Sequence, residues 1–402
     1  MAGLQDASKV GDGITETSIP ASHPPDKKSD KQTFHIGTRQ SILARVQADI
    51  VLQDLRKAWP NHTFEVHAMS TTGDNNQKTA LHKFNEKALW TQELEVLLQK
   101  GELDLIVHSL KDMPTQLPID LQLGAVTKRA DARDALVVKP SIASTCKSLA
   151  DLPENSVVGT SSLRRIAQLK QHYSHLKFAD VRGNIGTRLA KLDNPESEYS
   201  AIILAAAGLE RVGMTSRITT YLSKNEGGML HAVGQGALGI ETRKDDAQTA
   251  KLVAAIVDEK TMRMTLAERS LMRTLEGGCS VPIGVETEWI RRKGVLDSQD
   301  VGVGAKPAED YHKLSGTALK TSGGESGQGA EDETDVLIMH ALVVSLEGDE
   351  VAETEARRRI ACREDADEFG WEVAQQLVQK GADKILQGIS LNRGIIGGQD
   401  GA

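Results

Sequence analysis

The sequence predicts an α/β fold, because short apolar segments typical of strands alternate with longer segments of helical periodicity along most of the chain. Small or basic residues directly follow several of the predicted strands, as they do at the ligand-binding edge of open α/β sheets. The chain has 402 residues, 39% apolar and 26% charged. At roughly 100–200 residues per domain, it has room for two to four folded domains.

The first predicted elements follow an N-terminal segment without apolar periodicity. Residues 1–33 are rich in Ser, Asp, Lys and Pro, which predicts a disordered tail. Residues 34–36 predict a short strand and residues 37–38 a turn, and apolar spacing over 41–59 predicts a helix. Alternating apolar and polar residues at 64–68 predict a second, half-buried strand.

A helix around residues 94–98 and a buried strand at 105–107 continue the alternation, which predicts βαβ units and a largely parallel sheet. The same order recurs three times further along the chain. Strands predicted at 157–158, 178–181 and 201–204 each lead into small or basic residues and then a helix. Each of these strand ends is therefore a candidate edge for ligand binding.

After about residue 257 the pattern changes. A helix predicted over 261–275 ends at a Glu-Gly-Gly stop, and a strand-like segment follows at 281–285. Residues 321–335 contain five acidic residues and four glycines but no basic residue, which predicts a mobile surface insertion. Residues 367–386 predict a closing amphipathic helix.

Composition and charge argue against several classes of function. Aromatic residues make up 3% of the chain and its net charge is −8, a poor match to a nucleic-acid-binding surface. No apolar run approaches the roughly 20 residues of a membrane span, and we identify no export signal. Three cysteines without a Cys-x-x-Cys pair predict a reduced, cytoplasmic protein.

Arginines gather at the predicted strand ends and helix starts. They are Arg39, Arg164, Arg165, Arg182, Arg188 and Arg211. Helix N-termini hold anions through free N–H groups and a positive dipole end, and arginine adds paired donors that match a carboxylate or phosphate. The set predicts an anionic ligand with several acid groups, although any single member could be a solvated surface residue.

Two further positions suggest chemistry. Asp112 follows Lys111 directly after a buried strand, where it is either a general acid or base or a turn residue paired with that lysine. Cys279 lies in Gly-Gly-Cys-Ser as a candidate accessible thiol. No histidine lies within a few residues to act as an activating base, so a Cys/His nucleophile is weakly supported. Cys146 and Cys362 are expected to be small buried apolar residues.

Two other motifs give weak signals. Residues 234–239 match Gly-x-Gly-x-x-Gly, but a strand-like segment at 238–242 stands where a dinucleotide-binding motif needs a helix. His172 and His175 are three residues apart on a predicted helix. Without a third ligand nearby, they are expected to be surface residues rather than a metal site.

Several of these segments, taken in order, resemble the hydroxymethylbilane synthase family, also called porphobilinogen deaminases. The resemblance extends from about residue 34 to 290, with a weaker C-terminal continuation. Its motifs are IGTRQS (36–41), MSTTGD (69–74), VHSLKDMPT (107–115), VGTSSLRR (158–165), VRGN (181–184), AVGQGALG (232–239) and LEGGCSVP (275–282).

The resemblance implies an enzyme of tetrapyrrole and haem biosynthesis. The family joins four porphobilinogen molecules head to tail, releases ammonia each time and frees hydroxymethylbilane by hydrolysis. By this resemblance Cys279 carries a dipyrromethane cofactor through a thioether, and Asp112 is the catalytic carboxylate. No metal or nucleotide is expected. Porphobilinogen is the expected partner of a cytoplasmic monomer that binds neither nucleic acid nor membrane.

The resemblance also implies which residues bind the acetate and propionate groups of the pyrroles. They are Arg39, Ser41, Lys111, Thr160, Ser161, Ser162, Arg164, Arg165, Arg182, Arg188 and Arg211. The family's mobile loop usually reads Gly-Glu-Lys or Gly-Gly-Lys, whereas this chain has Asn85-Glu86-Lys87. It also has Trp90 near a position that usually holds Phe. Lys87 and Trp90 are thus expected in a mobile loop that departs from the family's pattern.

The implied architecture has two lobes like those of periplasmic binding proteins and a small C-terminal α/β domain that carries the cofactor. Lobe 1 comprises residues 34–129 and 234–257, lobe 2 residues 130–233, and the third domain residues 258–402. A carboxylate-binding module without catalysis is the main alternative, and an NAD-dependent oxidoreductase is the weaker one. The binding module leaves the Gly-Gly-Cys-Ser segment and the third domain unexplained, and the oxidoreductase rests only on the misplaced glycine motif.

Overall fold

A computed structural model describes residues 31–71, 91–275, 281–291 and 333–397 of the protein. Within these residues the strands and helices follow in the order β1 (Thr33–Arg39), α1 (Ile42–Ala58), β2 (Thr63–Met69), α2 (Gln92–Gln99), β3 (Leu105–Ser109), β4 (Leu121–Val126), β5 (Asp134–Val138), β6 (Val157–Gly159), α3 (Leu163–His172), β7 (Lys177–Ala179), α4 (Ile185–Asp193), β8 (Tyr199–Ala205), α5 (Ala206–Arg211), β9 (Thr220–Leu222), β10 (Leu238–Arg243), α6 (Ala247–Ala254), α7 (Glu259–Thr274), β11 (Ile283–Arg291), β12 (Glu333–Val344), β13 (Val351–Arg359), α8 (Arg363–Gln379) and α9 (Ala382–Gly397). A 3₁₀ turn at Leu110–Asp112 follows β3.

Two five-stranded sheets share one topology, with the orders β2-β1-β3-β10-β4 and β7-β6-β8-β5-β9. In the first sheet β10 alone is antiparallel to its neighbours, and in the second sheet β5 alone is. The prediction of largely parallel sheets is therefore confirmed apart from these two strands. Each reversed strand is the first to follow a passage of the chain from one sheet to the other.

The chain passes between the two sheets twice, as the predicted bilobal architecture requires. It leaves the first sheet after β4, builds the whole second sheet from β5 to β9, and returns as β10. Both passages lie within the described residues, whereas the exact domain boundaries stay a prediction.

The first strand is longer than the sequence predicts. β1 pairs in parallel with β2 along its whole length, including residues 37–38, where a turn is predicted. A Cβ at Gly37 would lie 2.5 Å from Leu103 Cδ1, so glycine here permits close packing within a sheet. α1 then begins after Ser41, whose Oγ accepts a hydrogen bond of 3.3 Å from the Ala44 N–H.

The third sheet is antiparallel in the order β11-β12-β13 and shares a core with α7, α8 and α9. Leu271 of α7 and Phe369 of α8 belong to this buried cluster. The prediction of one closing helix over 367–386 is wrong, because Gly381, with φ +95°, separates α8 from α9. That backbone conformation is left-handed and interrupts a right-handed helix.

Several predictions fall outside the described residues. They are most of the N-terminal tail 1–33, Lys87 and Trp90, Cys279, and most of the 321–335 insertion. Among the described residues, no helix combines the length and the apolar character that a membrane span requires.

Candidate functional site

The candidate site is centred on Asp112, at the end of the 3₁₀ turn that follows β3. Asp112 lines a small cleft together with Arg39 at the end of β1 and Gln47 of α1. Gln47 is held by hydrogen bonds with Ser109, at 2.8 Å from its Nε2 to Ser109 Oγ and 3.1 Å from that Oγ to its Oε1. The two strand ends thus bring a carboxylate and a guanidinium into one cleft, and the role of each as a site residue stays a prediction.

Lys111 lies beside Asp112 and close to residues of the second sheet. Its Nζ donates a 3.4 Å hydrogen bond to Gln235 Oε1. Burial lowers the pKa of Lys111 to about 8, and the charge of Arg165 contributes to this shift while that of Asp112 opposes it. The side chain is therefore a half-buried cation near neutral pH, beside other cations.

Two arginines around α4 extend this positive region. Burial lowers the pKa of Arg188 to about 10, and the neighbouring Arg165 and Arg182 lower it further, while Asp112 opposes them. Arg188 Nε donates to the Gly183 carbonyl oxygen at 2.7 Å, which anchors the side chain to its own loop. Burial also lowers the pKa of Arg182. Cations gathered in this way repel one another unless an anion lies among them.

Asp134 is a buried residue that the sequence analysis missed. Arg164 Nη2 donates to one of its carboxylate oxygens at 2.8 Å, and Arg165 Nη2 donates to the other at 2.7 Å. Burial opposes ionisation, but the two guanidiniums outweigh it and lower the pKa of Asp134 far below its usual range. An acid directly before four apolar residues at 135–138 is the sequence signal that could have identified it.

Arg164 and Arg165 are therefore deeply engaged by the protein itself. Arg164 also donates to the Leu230 carbonyl oxygen at 2.5 Å, and Arg165 to the Ile203 carbonyl oxygen at 2.7 Å. Both side chains are buried at the start of α3. Their predicted contact with ligand carboxylates stays a prediction.

Other predicted ligand residues also have partners within the protein. Thr160 Oγ1 accepts a hydrogen bond from the Ser162 N–H at 3.3 Å, and Ser161 Oγ donates to the Val181 carbonyl oxygen at 3.2 Å. Arg211 Nη2 donates to the Gly236 carbonyl oxygen at 2.7 Å. These bonds give each side chain a structural role beside the predicted one.

The glycine-rich motif at 234–239 lies where the chain returns to the first sheet. Gly236 has φ +84°, and a Cβ there would lie 2.7 Å from the Ala130 carbonyl oxygen. Between the two glycines, Gln235 Nε2 donates to Ala132 O at 2.8 Å and to Asp134 Oδ1 at 2.9 Å. The motif leads into β10 and not into a helix, as the sequence predicts. Because Gly236 has no Cβ, this segment can lie close to Ala130, in the other segment that joins the two sheets.

Helix α7 connects the third sheet to the turn that carries Asp112. Arg269 donates to the Met113 carbonyl oxygen at 3.1 Å and to the Pro114 carbonyl oxygen at 2.5 Å. Glu268 pairs with Arg129 at 2.6 Å and accepts a hydrogen bond from the Gly234 N–H at 2.8 Å. Sequence reasoning missed these contacts because their partners are far apart in the chain, 139 positions for Arg129 and Glu268, 156 for Met113 and Arg269, and 34 for Gly234 and Glu268.

The predicted surface histidines do not form a metal site among the described residues. His172 ends α3, and His175 lies beyond the helix. The Tyr173 ring contacts both imidazoles, with ring centroids 6.4 Å and 6.2 Å apart. Neither histidine belongs to a group of three possible metal ligands in the described part of the chain.

Comparisons with known proteins show which family the chain resembles. The family model "Porphobilinogen deaminase, dipyromethane cofactor binding domain" matches residues 34–251, and "Porphobilinogen deaminase, C-terminal domain" matches residues 262–301. The chain is 46% identical over 371 residues to the porphobilinogen deaminase of Yarrowia lipolytica, which covers 91% of this chain and 96% of that protein.

The porphobilinogen deaminase of Saccharomyces cerevisiae is 44% identical over 367 residues, covering 90% of this chain and 98% of that protein. Among solved structures, the periplasmic VFT2 domain of Bordetella pertussis BvgS is 14% identical, with a TM-score of 0.32, and covers 56% of this chain and 87% of that chain. A structural similarity with so low a TM-score does not establish a relationship, whereas the sequence matches extend over most of the chain. The chain therefore belongs to the porphobilinogen deaminase family.

Proposed function

We propose that the protein is an active hydroxymethylbilane synthase of tetrapyrrole biosynthesis. It joins four porphobilinogen molecules head to tail with loss of ammonia, and then releases hydroxymethylbilane by hydrolysis. The observation that carries the proposal is the Asp112 carboxylate in one cleft with Arg39, close to the cations Lys111 and Arg188. Family membership adds the identity of the substrate.

The cationic residues would bind the carboxylates of substrate and product. Each pyrrole carries an acetate and a propionate, so a growing chain accumulates negative charge. Arginine guanidiniums bind carboxylates through paired N–H donors, and the charge of Lys111 adds a further attraction. Repulsion among Arg165, Arg182 and Arg188 would be relieved when these anions enter.

Asp112 would act on the pyrrole nitrogen and on the charge that develops during the reaction. Loss of ammonia from the aminomethyl group leaves a cationic methylene-pyrrolenine of the substrate. A carboxylate near the ring N–H can accept its hydrogen bond and stabilise that cation. It can also take up the proton released when the new carbon–carbon bond restores the aromatic pyrrole.

The described residues fit a dipyrromethane, because its four carboxylates match the surplus of cationic donors around Asp112. Arg39, Lys111 and Arg188 are the residues that we propose to hold it. When bound, the group supplies the free α-carbon to which the first substrate is joined. We propose that it is attached through a thioether to Cys279, four residues after Leu275, which caps α7.

The covalent attachment is tested by the intact mass of the denatured protein. We expect the wild type to exceed its sequence mass by two linked pyrrole units, and the Cys279→Ala variant to lack this excess. Cys362→Ala is the matched control, because Cys362 is an exposed free thiol, and it should retain the excess. Loss of the excess in the Cys362→Ala control would place the attachment at Cys362 and contradict the proposed attachment at Cys279. An unmodified wild type that makes no product would favour a binding protein with this fold.

The role of Asp112 is tested by product formation. Asp112→Ala should lower turnover by at least about 10²-fold, the smaller effect expected when a general acid or base is lost. Its intact mass should still show some attached cofactor. Asp120→Ala is the control, since Asp120 is an exposed acid directly before β4 that accepts a hydrogen bond from Gln99. Near-normal product formation by Asp112→Ala would exclude the proposed role.

We further propose a cytoplasmic monomer. Cys146 and Cys362 are free thiols in the structure, as is usual in reducing compartments. The buried position of Cys146 agrees with its prediction, whereas Cys362 is exposed at the start of α8, so that prediction is wrong. The large exposed apolar side chains among the described residues lie on separate elements, such as Ile42, Val96 and Trp371. This scatter is typical of a surface without an obligate partner.

A further inference from the structure

Three potential metal ligands meet on one face of β1 and β2. His35 of β1 is the register partner of Glu65 of β2, and His67 follows two residues later on the same strand. Because side chains alternate between the faces of a strand, all three point to the same side of the sheet. Arg39 lies four residues beyond His35, or about 13 Å along β1, so this group is separate from the candidate active site.

The spacing of the three ligand atoms matches the size of a metal ion. His35 Nδ1 lies 2.9 Å from His67 Nε2 and 3.5 Å from Glu65 Oε2, and His67 Nε2 lies 4.0 Å from Glu65 Oε2. The circle through three atoms at these separations has a radius of about 2.1 Å. Zn²⁺ binds histidine nitrogens at about 2.0–2.1 Å and carboxylate oxygens at about 2.0–2.2 Å, so one ion can reach all three atoms.

We propose that His35, Glu65 and His67 form a binding site for a divalent transition-metal ion, with Zn²⁺ as the reference ion. Two imidazoles and one carboxylate are a ligand set that suits zinc and its neighbours in the Irving–Williams order better than Mg²⁺ or Ca²⁺. The side chains are 32%, 55% and 50% exposed, which leaves water free to complete the coordination. In the described part of the chain this is the one such group of three.

The close approach of these side chains is also explained without an ion, by a hydrogen bond between the two imidazoles, and this is the alternative to exclude. At 2.9 Å the two imidazole nitrogens can share one hydrogen bond, with one ring donating. A bound ion would replace that shared proton and allow both nitrogens to act as electron-pair donors. Because β2 is an edge strand of the first sheet, the ion would then join this edge to β1 through side chains as well as backbone bonds.

The test is a titration of the metal-stripped full-length protein with Zn²⁺ alone, followed by calorimetry and by thermal unfolding. We expect saturable binding at this site and a rise in the unfolding temperature, since an ion that binds only the folded state stabilises it. In His67→Ala and in Glu65→Gln this binding should weaken by at least the roughly 10–100-fold that loss of an outer-shell partner costs. Their metal-free unfolding temperatures show whether each variant folds.

His172→Ala is the matched control, because it removes an exposed histidine that belongs to no group of three possible metal ligands among the described residues, and it should bind Zn²⁺ like the wild type. A parallel titration with Co²⁺ distinguishes binding by cysteine thiolates from binding by the proposed imidazole and carboxylate ligands. Thiolate ligation adds an intense near-ultraviolet charge-transfer band, which the proposed site should lack. Equal Zn²⁺ affinity and stoichiometry in wild type, His67→Ala and Glu65→Gln would overturn the proposal. So would the absence of saturable binding to the wild type.

Discussion

Asp134 is 1% exposed at the start of β5, where it accepts hydrogen bonds from Arg164, Arg165 and Gln235. Two guanidiniums share one carboxylate, so this cluster of charged side chains keeps a net positive charge. The predicted role of Arg164 and Arg165 as anion binders depends on that surplus. Asp134 orients both side chains, and we expect their remaining attraction for anions to act on the ligand.

At this residue scale we predict that Asp134→Asn destabilises the fold by about 3–5 kcal/mol, the cost of leaving buried charges without their counterion. The variant removes the charge but keeps the side-chain size, so urea unfolding at neutral pH reports the electrostatic loss. Asp131→Asn is the control, because its partner Arg133 is 42% exposed, and it should cost at most about 1 kcal/mol. Equal losses in the two variants would contradict the assigned role of Asp134.

Helix α7 acts on the turn that holds Asp112. Arg269, which is buried in α7, donates to the carbonyl oxygens of Met113 and Pro114 directly after that turn. The turn itself is a single 3₁₀ element of three residues, which fixes few backbone hydrogen bonds on its own. Arg269 is therefore a positioning residue for the Asp112 carboxylate.

We predict that Arg269→Met lowers kcat by up to about 10²-fold while KM changes little, because a displaced carboxylate loses alignment and the carboxylate-binding residues remain. Arg269→Lys keeps a donor and should restore part of the rate. Arg263→Met is the control on the same helix, since Arg263 donates instead to Ile360 O at 2.8 Å. The measurement is kcat and KM from steady-state kinetics, at a temperature below the unfolding temperature of every variant. A rise in KM alone, or equal losses in both methionine variants, would exclude positioning.

Across the whole molecule, local patterns predict most of the elements that the structure describes, whereas the predicted roles of the site residues stay predictions. Apolar periodicity identifies α1, and two of the residues singled out from strand ends, Arg39 and Asp112, lie in one cleft of the structure. Apolar periodicity cannot show where a glycine adopts a left-handed backbone conformation that ends one helix before the next begins. The break at Gly381 between α8 and α9 is missed for this reason. Cys279 is predicted by the family resemblance, and its position lies outside the described residues.

Contacts between distant parts of the chain are a second kind of structural feature that sequence patterns do not reveal. Glu268 meets Arg129 across 139 positions, and Lys111 meets Gln235 across 124. No periodicity links residues so far apart, because their proximity depends on how whole sheets and helices assemble. The ligand triad of His35, Glu65 and His67 is similar, since it exists only once β1 and β2 are paired in register.

The place of β10 in the first sheet sets an order for folding during synthesis. Every strand of the second sheet lies between Asp134 and Leu222, so this sheet can close as soon as those residues leave the ribosome. The first sheet begins earlier in the chain but stays open between β3 and β4 until β10 arrives, and Leu238 pairs with Ser109. Closing so long a loop is slow, and until then strand edges remain exposed. The first sheet therefore finishes folding after the second, and the nascent chain is most open to aggregation or chaperone binding in that interval.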